Sequence, residues 1–518
     1  MADDENSLVL RSDSALLTAG DPAKALLARM SGAVLLLASQ KALERGRNSF
    51  LVAGIHFNEP DHCQIQAWAG AVGISAEVLV KHLQETVYDS VEVDEIRFQV
   101  DDGSIVSLAW DLEKLPVASF ETQVEGLKIR ALAIFYADGA AAAGGPEVGG
   151  GFLKVRLQEL SFLECKGMGL CELDLSGLPA LQVLRCGNNR LTRLDLRGVP
   201  ALQVLRCWSN RLEELDLSGT PGLQSLWCGS NQLTELNLSN VPALQVFFGC
   251  ENRLKALDLS RTPGLQSLWC GNNQLRELDL RNVPGLQVLR CGNNQLTELD
   301  LSNVPGLQGL NCGHNQLREL DLGGVPALQG LDCSNNQLRE LDLGNARALR
   351  GLDCSNNQLT KLDLGNVPEL QKVYCSDNQL EALDLGNVPD LQKLYCSNNQ
   401  LRELDLGNVP HLQVLRCGNN QLTELELSNV PGLQELKSWE SQLTELDLTN
   451  VADLQELHCE NNQLTELDVS KLSNLNSLDA RWNRLSQIDA AKLAAACEIK
   501  VDAHVKVIEQ NGKRWGTE

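Results

Sequence analysis

The segment LQVLRCGNNQLTELDLSNVPG, residues 286–306, decides the architecture of this 518-residue chain. Copies of it follow one another every 21 residues, and sixteen are recognisable. They begin at Leu160, Leu181, Leu202, Leu223, Leu244, Leu265, Leu286, Leu307, Leu328, Leu349, Leu370, Leu391, Leu412, Leu433, Leu454 and Leu475. Similarity at a fixed short period is typical of proteins in which each copy forms one structural turn.

Each copy contains two alternations of inward apolar and outward polar residues. The triplet 289–291 (Leu-Arg-Cys) and the triplet 299–301 (Leu-Asp-Leu) both direct their first and third side chains inward, as in a short strand. One turn cannot bury its own leucines, so the turns must stack and share a single apolar core. The pattern therefore predicts two short strands per turn, each belonging to a parallel sheet.

Asparagine and proline mark the corners of the copy. An asparagine such as Asn294 stands two residues before the middle leucine in fourteen of the sixteen copies, and Met168 and Ser441 replace it in the others. Its amide is expected to satisfy backbone groups at a sharp bend, where no regular ladder is available. Proline near the end of most copies, such as Pro305, is expected to set the second corner.

These residues resemble the bacterial leucine-rich repeats of the 21-residue class, LxxLxLxxNxLxxLDLxxxxx, with Cys in place of the third Leu. The match spans residues 160–495. The resemblance implies an α/β-type solenoid, a curved, right-handed array of about 16 turns of parallel short strands. It also implies that the first strand lines the concave face and that the array recognises proteins.

Cysteine usage and charge indicate the cellular compartment of the chain and the class of its partner. Thirteen of its 17 cysteines occupy one position of the repeat. They are expected to be packing residues, because parallel strands place neighbouring Cβ atoms about 4.8 Å apart and a disulfide needs roughly 3.8 Å. The acidic N-terminus lacks the features of a secretory signal, so we expect a cytoplasmic protein with no membrane role. A net charge of -24 makes nucleic acid an unfavourable partner.

The sequence divides into four parts. Residues 1–138 are expected to form a separate N-terminal α+β domain, 139–151 a Gly/Ala-rich linker, 152–495 the repeat array and 496–518 a C-terminal cap. The N-terminal domain is expected either to couple binding to another component or to dimerise. The predicted elements are helices over 22–44 and within 61–89, strands over 50–57, 92–100, 104–110 and 127–136, and a terminal helix over 490–496 with a strand over 499–508.

The aromatic residues of the array mark a candidate binding surface. Nine of the ten between Leu160 and Leu485 occupy variable outward positions of the first strand or its exit, and only Phe247 takes a core position. Large aromatics and Arg are enriched at protein-binding hot spots. The predicted partner-binding residues are Arg185, Arg206, Trp208, Trp227, Phe248, Trp269, Arg290, Asp332, Asp353, Tyr374, Tyr395, Arg416, Lys437, Trp439 and His458.

Catalysis has little support in the residue pattern. Asp332 and Asp353 could be imagined as an acid and base or as metal ligands, but no histidine or third carboxylate converges on them. No motif for a nucleophile, a nucleotide or zinc is present, so no enzyme activity, cofactor or metal is expected. Three functions remain: a non-catalytic protein-binding protein, a bacterial effector or defence sensor that recognises a foreign or host protein, and a single-stranded nucleic-acid binder that uses the Arg and aromatic stripe.

Overall fold

The structure is a computed structural model. It describes residues 50–52, 55–57, 59–72, 74–85, 87–90, 93–97, 99–101, 104–111, 120–121, 129, 131–135, 152–155, 157–490, 493 and 497–508. The predicted helix over 22–44, the linker over 139–151 and most of the predicted helix over 490–496 lie outside these residues. Two compact units contain the described residues, and the first ends at Leu278 while the second begins at Asp279.

In the first unit, each repeat turn contributes one three-residue strand to a parallel sheet. Neighbouring strands pair in register, so that equivalent residues of successive turns lie side by side; Arg206 pairs with Trp227, and Trp227 with Phe248. The strands are β10 (Phe162–Glu164), β12 (Val183–Arg185), β13 (Val204–Arg206), β14 (Ser225–Trp227), β15 (Val246–Phe248) and β16 (Ser267–Trp269).

The second unit repeats this arrangement. Its strands also pair in parallel and in register, as with Asp332 opposite Asp353 and Tyr374 opposite Tyr395. They are β17 (Val288–Arg290), β18 (Gly309–Asn311), β19 (Gly330–Asp332), β20 (Gly351–Asp353), β21 (Lys372–Tyr374), β22 (Lys393–Tyr395), β23 (Val414–Arg416), β24 (Glu435–Lys437), β25 (Glu456–His458), β26 (Ser477–Asp479) and β28 (Glu498–Lys500). The predicted parallel-strand solenoid of about 16 turns is confirmed.

The prediction of a second strand in every turn is wrong. Within residues 157–490, the second alternation forms a strand only in β11 (Glu172–Asp174) and β27 (Gln487–Asp489). Elsewhere the outward aspartate bends the chain: the Asp300 carboxylate accepts a hydrogen bond from the Ser302 amide at 2.9 Å. The carbonyl of the next residue, Leu301, accepts one from the Val304 amide at 3.2 Å. The column of acidic side chains therefore shapes a corner as well as charging the surface.

The interior of the array is a column of leucines lined by a ladder of cysteines. The thirteen ladder cysteines are all free and buried, which confirms the prediction that they are packing residues. Burial raises the pKa of the Cys291 thiol to about 12, and the same cause raises the pKa of its neighbours along the ladder. These thiols are therefore protonated near neutral pH and behave as small apolar side chains.

The predicted corner role of asparagine is also confirmed. The Asn315 side-chain amide donates to the carbonyl of Cys291 in the preceding turn at 3.1 Å and to that of Cys312 in its own turn at 3.0 Å. Its oxygen accepts a hydrogen bond from the Leu296 amide at 3.0 Å. Each asparagine therefore joins two turns through backbone groups that would otherwise be buried without partners.

In one turn, one core residue is larger than usual and its neighbour two residues later is smaller than usual. Phe247 replaces the core leucine, and Gly249 replaces the ladder cysteine two residues later. A Cβ atom at Gly249 would lie 2.4 Å from the Phe247 ring, closer than real Cβ atoms approach. The phenyl ring therefore occupies the space that a cysteine side chain fills in other turns, which explains why the ladder is interrupted here.

The described N-terminal elements combine two helices with short strands. The predicted helix pair is present as α1 (Glu59–Val72) and α2 (Ala76–Glu85), and the predicted hairpin as β5 (Gln99–Asp101) with β6 (Ser104–Asp111). The segment 50–57 forms an antiparallel pair instead of one strand, because Val52 pairs with Ile55. The further strands are β1 (Phe50–Val52), β2 (Ile55–Phe57), β3 (Val87–Ser90), β4 (Val93–Arg97), β7 (Phe120–Glu121), β8 (Ala131–Phe135) and β9 (Phe152–Lys154).

The sheet of the first unit extends beyond the repeats. Strand β8 pairs in parallel with the first repeat strand β10, with Leu132 opposite Leu163, and β6 pairs with β8 on its other side. This pairing crosses residue 152, where the sequence suggested a domain boundary. Leu108, Ile129, Leu132 and Ile134 are fully buried, so these elements cover the end of the repeat core.

The C-terminal strands complete the second unit. Strand β28 adds to the main sheet beside β26, and β29 (Lys506–Ile508) pairs with β27. Among the described residues, no single helix is long and apolar enough to cross a membrane, although α1 and α2 pass by length and composition when taken together as a bent pair.

Candidate functional site

The outward surface of the main sheet carries the predicted site residues. We call this surface the sheet face and define it as the first and third residues of each repeat strand, together with the residue two positions beyond the strand's last residue. In the first unit, the third strand residues are Glu164, Arg185, Arg206, Trp227, Phe248 and Trp269. In the second unit they run from Arg290 to Asp479 and include the predicted acidic, tyrosine and basic residues.

A ladder of stacked rings forms the centre of the sheet face in the first unit. The ring centroids of Trp227 and Phe248 are 5.0 Å apart with an interplanar angle of 8°. Those of Phe248 and Trp269 are also 5.0 Å apart, at 41°. All three side chains are half-buried, because each ring covers its neighbour. The faces of the middle ring, Phe248, are therefore turned toward its two neighbours.

Two predicted contact residues are buried within this surface. Arg185 is 5% exposed and Arg206 is 7% exposed. The Arg206 guanidinium lies 4.7 Å from the centroid of the Trp227 ring. Arg185 lies 5.5 Å from the Phe162 ring and 3.4 Å from the Glu164 carboxylate. Neither guanidinium is therefore open to direct contact with a partner.

Glycine makes room for the aromatic rings that follow the strands. A Cβ atom on Gly187 would lie 2.9 Å from the Trp208 ring. The Lys166 ammonium lies 4.9 Å from the centroid of the same ring. In the second unit, a Cβ atom on Gly418 would likewise lie 2.5 Å from the Trp439 ring. Both tryptophans therefore lie flat on the preceding turn, where a larger residue would displace them.

The middle of the sheet face in the second unit is acidic, and its side chains are short. Asp332 accepts hydrogen bonds from the Asn311 amide at 2.7 Å and from the Ser334 hydroxyl at 2.7 Å. Its neighbour Asp353 is 7% exposed. Burial, and then the charge of Asp332, raises the pKa of Asp353 to about 6. Asp353 is therefore the buried member of a pair of like charges, although it was predicted as a contact residue.

A tyrosine pair and a network of charges follow along the second unit. The rings of Tyr374 and Tyr395 meet edge to face with centroids 4.6 Å apart. The Arg416 guanidinium lies 4.5 Å from the Tyr395 ring and 2.7 Å from the Glu435 carboxylate. Although burial opposes it, the cations Arg416 and Lys437 lower the pKa of Glu435. These side chains are held in one arrangement before any partner arrives.

The remaining predicted residues are less closely joined to these clusters. Arg290 is half-buried at the start of the second unit. His458 lies 3.4 Å from the Ser477 hydroxyl, and burial, followed by the charge of Lys437, lowers its pKa. Lys437 lies 3.4 Å from the Glu456 carboxylate. Trp482, an aromatic residue of the last turn, is 60% exposed and lies beyond the strand.

The prediction from sequence missed one of the three columns of the sheet face. In the second unit the first residue of each strand from β17 to β26 is also partly exposed, and this column contains Gly309, Gly330 and Gly351 beside the two aspartates. A Cβ atom on any of the three would meet nothing within 4 Å. Glu435 belongs to the same column and bridges two cations. Alternation along the triplet 288–290 could have identified the column, because residues two apart share one face of a strand.

The carboxylates of the sheet face form no metal-binding cluster within the described residues. These residues contain no group of three or more His, Cys, Asp or Glu side chains that could hold a metal ion. The carboxylates of Asp332 and Asp353 accept hydrogen bonds from the serines that follow them. The organised features of the sheet face are thus stacked rings and paired charges, which are the features of a contact surface.

Comparison with known proteins identifies the repeats. The family model described as Leucine Rich repeats (2 copies) matches residues 263–305, 368–408 and 389–432. The solved structure of the functional domain of InlJ from Listeria monocytogenes, which includes a cysteine ladder, is 31% identical with a TM-score of 0.54. That alignment covers 60% of this chain and 75% of the InlJ chain. The chain is a bacterial-type leucine-rich-repeat protein.

Other solved leucine-rich-repeat structures are similar to it. YopM from Yersinia enterocolitica WA-314 is 29% identical with a TM-score of 0.57, over 70% of this chain and 83% of that one. The ectodomain of the Arabidopsis thaliana receptor kinase GASSHO1/SCHENGEN3, solved in complex with CASPARIAN STRIP INTEGRITY FACTOR 2, is 21% identical with a TM-score of 0.55, over 73% and 58%, and shows the fold alone. No curated protein matches this leucine-rich-repeat protein in sequence. The fold supports a general role in protein-protein interaction.

Proposed function

We propose that this leucine-rich-repeat protein binds a protein partner on the sheet face of its first unit, the predicted concave face. The ladder of Trp227, Phe248 and Trp269 carries the proposal, because it places three large aromatic side chains side by side on one surface. Tryptophan and other large aromatics dominate the binding energy of protein interfaces. The partner would bury the exposed part of these three half-buried side chains.

The ladder is organised before binding. Each ring is held by its neighbours, and the Trp227 indole N–H also donates to the Ser225 hydroxyl at 3.0 Å. Side chains that are already ordered lose little conformational entropy when a partner arrives, and a loose aromatic surface would lose more. The packed ladder therefore favours recognition by a preformed surface.

Single-stranded nucleic acid is the less favourable partner. Base stacking requires an open ring face. The two faces of Trp227 are covered by the Arg206 guanidinium and by the Phe248 ring. The faces of Phe248 are covered by Trp227 and Trp269. A protein surface can contact ring edges, so the geometry favours the protein-binding function over the nucleic-acid alternative.

Affinity capture with matched variants tests the proposal. The full chain, the double variant Trp227→Ala/Trp269→Ala and the control Trp482→Ala are immobilised separately and exposed to lysate of the source organism. Quantitative mass spectrometry should show one or more proteins held by the full chain and by Trp482→Ala, and depleted at least about tenfold by the double variant. Equal recovery by all three, with thermal unfolding of the variants unchanged, would show that the ladder is not the binding surface.

A further inference from the structure

Two lysines lie side by side on the sheet face of the second unit. Lys372 of β21 and Lys393 of β22 are directly opposite each other in the parallel register. Both are half-buried, and their backbone positions are about 4.8 Å apart, the spacing of neighbouring strands. Like charges at directly opposite positions of neighbouring strands destabilise a sheet. The pair therefore destabilises the folded chain unless an anion neutralises it.

No carboxylate of the described residues neutralises this pair. Neither lysine makes a hydrogen bond or an ion pair with a residue that the structure describes. The cations of the following turns differ, because the Glu435 carboxylate lies 2.7 Å from Arg416 and 3.2 Å from Lys437. Burial raises the pKa of Asp353 on the preceding strand, whereas a paired ammonium would lower it. Within the described residues, both lysines are therefore unpaired, although the chain has a net charge of -24.

The lysines lie beside an aromatic pair. Tyr374 and Tyr395 each follow a lysine by two residues, and residues two apart on a strand share one face. The same register places the tyrosines opposite each other, and their ring centroids are 4.6 Å apart. The sheet face therefore combines two cations with an aromatic surface across β21 and β22.

The surface is open on the other side of Lys372. The residue opposite it on β20 is Gly351, where a Cβ atom would meet nothing within 4 Å. Gly330, opposite Gly351 on β19, is equally open. A chain segment can therefore approach the sheet backbone closely beside Lys372, because no side chain covers it there.

Independently of the function proposed for the first unit, we infer that the second unit docks an acidic protein segment across β21 and β22. A carboxylate of the segment neutralises Lys372 and Lys393, and its apolar side chains pack on the Tyr374–Tyr395 pair. An isolated carboxylate brings one negative charge, whereas nucleic acid brings one with every nucleotide. The net charge of -24 opposes the second kind of partner more strongly.

Subtractive selection from a peptide library tests the inference. Phage that display random peptides of about twelve residues, each long enough to cross both strands, are depleted on immobilised Lys372→Gln/Lys393→Gln and then selected on the unchanged chain. The enriched peptides should contain Asp or Glu beside Leu, Ile, Met or aromatic residues. Once synthesised, they should bind Lys372→Gln/Lys393→Gln at least about tenfold more weakly than the unchanged chain. The matched control Lys361→Gln/Lys471→Gln removes two exposed charges of the second unit outside the sheet face and should bind them normally.

Urea unfolding supplies a readout that needs no peptide. In Lys393→Glu, attraction to Lys372 replaces repulsion, so the midpoint of unfolding should lie at a higher urea concentration than that of the unchanged chain. The same variant should bind the selected peptides at least about tenfold more weakly. An equal or lower midpoint would show that the two lysines do not repel each other, and it would overturn the inference.

The remaining outcomes separate this inference from the proposed function. The variant Trp227→Ala/Trp269→Ala should bind the selected peptides normally, because its substitutions lie in the first unit. Peptides that lose affinity for this variant and keep it for Lys372→Gln/Lys393→Gln would overturn the inference and support the proposed function. Enriched peptides without Asp or Glu, or the absence of any enriched peptide, would overturn the inference alone. An oligothymidylate that displaces the peptides and requires both lysines would replace the protein segment with nucleic acid.

Discussion

Single residues of the sheet face show how stacking of the turns changes side-chain chemistry. Asp332 and Asp353 occupy equivalent positions on neighbouring parallel strands, so two carboxylates are held side by side. Burial of Asp353 removes water that would otherwise stabilise its charge, and the charge of Asp332 adds repulsion. The ionised form of Asp353 is therefore costly near neutral pH.

The substitution Asp353→Asn should stabilise the protein near neutral pH. The pKa of Asp353 is about 6 in the folded chain, above the value of about 3.9 for an unperturbed aspartate. Because the folded pKa is the higher one, the stabilisation by protonation is complete below about pH 4 and is lost as pH rises through 6. The free energy of unfolding of the variant should exceed that of the wild type by about 2 kcal/mol at neutral pH and by little near pH 4.

Urea unfolding of both proteins across this pH range measures the difference. Asp390→Asn serves as the control, because it removes the same charge from an exposed position. A gain for Asp353→Asn that stayed constant between pH 4 and neutral pH would contradict the assigned titration.

The burial of individual site residues could not have been predicted from the repeat pattern. Alternation correctly placed Arg206 and Trp227 on the outward side of their strands, and the sequence order correctly placed them in successive turns. Their contact depends on which way each side chain turns along the sheet, and the Arg206 guanidinium turns over the Trp227 ring. Sequence periodicity specifies the face of a strand but leaves the side-chain conformation undetermined.

Among the repeat elements, turn 433–453 lacks both residues that join the turns internally. Ser438 takes the ladder cysteine position and Ser441 the asparagine position, and both hydroxyls are buried without a hydrogen-bond partner. In the preceding turn, Asn420 donates to the carbonyls of Cys396 and Cys417 at 3.0 and 2.9 Å, and accepts from the Leu401 amide at 3.0 Å. A serine is too short to make this set of hydrogen bonds.

Restoring the asparagine by Ser441→Asn should stabilise this turn. The new amide would reach the carbonyls of Cys417 and Ser438 and the Leu422 amide, which correspond to the partners of Asn420. A gain of about 1–3 kcal/mol is expected, because the Leu422 amide would gain a side-chain acceptor and each of the two carbonyls would accept a second side-chain hydrogen bond. Hydrogen exchange of residues 412–464 should slow. The control Ser441→Ala removes the buried hydroxyl without adding partners, so equal stability of the two variants would contradict the prediction.

The exchange of sizes in turn 244–264 permits a second test. Gly249→Cys should destabilise the turn by about 1–3 kcal/mol because its side chain would overlap the Phe247 ring. Phe247→Leu alone leaves a cavity and should also destabilise. The double variant restores the usual pair of residues. Its loss of unfolding free energy, measured in urea, should therefore be smaller than the sum of the two single losses by about 2 kcal/mol. Additive effects would show that the two positions do not share space.

The difference between the predicted and observed strands has a cause within the element. The triplets 288–290 and 299–301 both alternate, but only the first forms a strand. In the second, the aspartate accepts a hydrogen bond from a backbone amide two residues later, and this local bond competes with extension. Alternation alone therefore cannot distinguish a strand from a corner, whereas an aspartate followed closely by Ser, Asn or Gly could have indicated the corner.

At the scale of the whole molecule, the start of the array depends on residues that precede the repeats. The 21-residue period predicted the parallel-strand solenoid correctly, because every copy carries the same signal. The N-terminal strand β8 carries no such signal and lies outside the period, so its pairing with β10 could not be predicted from self-similarity. An open array exposes the last core side chains at each end unless another element covers them.

Removing residues 1–151 should therefore destabilise the first unit instead of releasing an independent array. The deletion takes away β8, which pairs with β10 through Leu132 opposite Leu163, and leaves a strand edge and apolar side chains uncovered. We expect residues 152–518 to associate, as measured by light scattering after size-exclusion chromatography, and the 162–164 backbone to exchange hydrogen faster. In the full-length chain, Leu132→Asp should reproduce the faster exchange, because it places a charge in a buried position. Leu132→Met keeps the volume and should not. A monomeric 152–518 fragment with full protection of β10 would show that the repeats need no cover at this end.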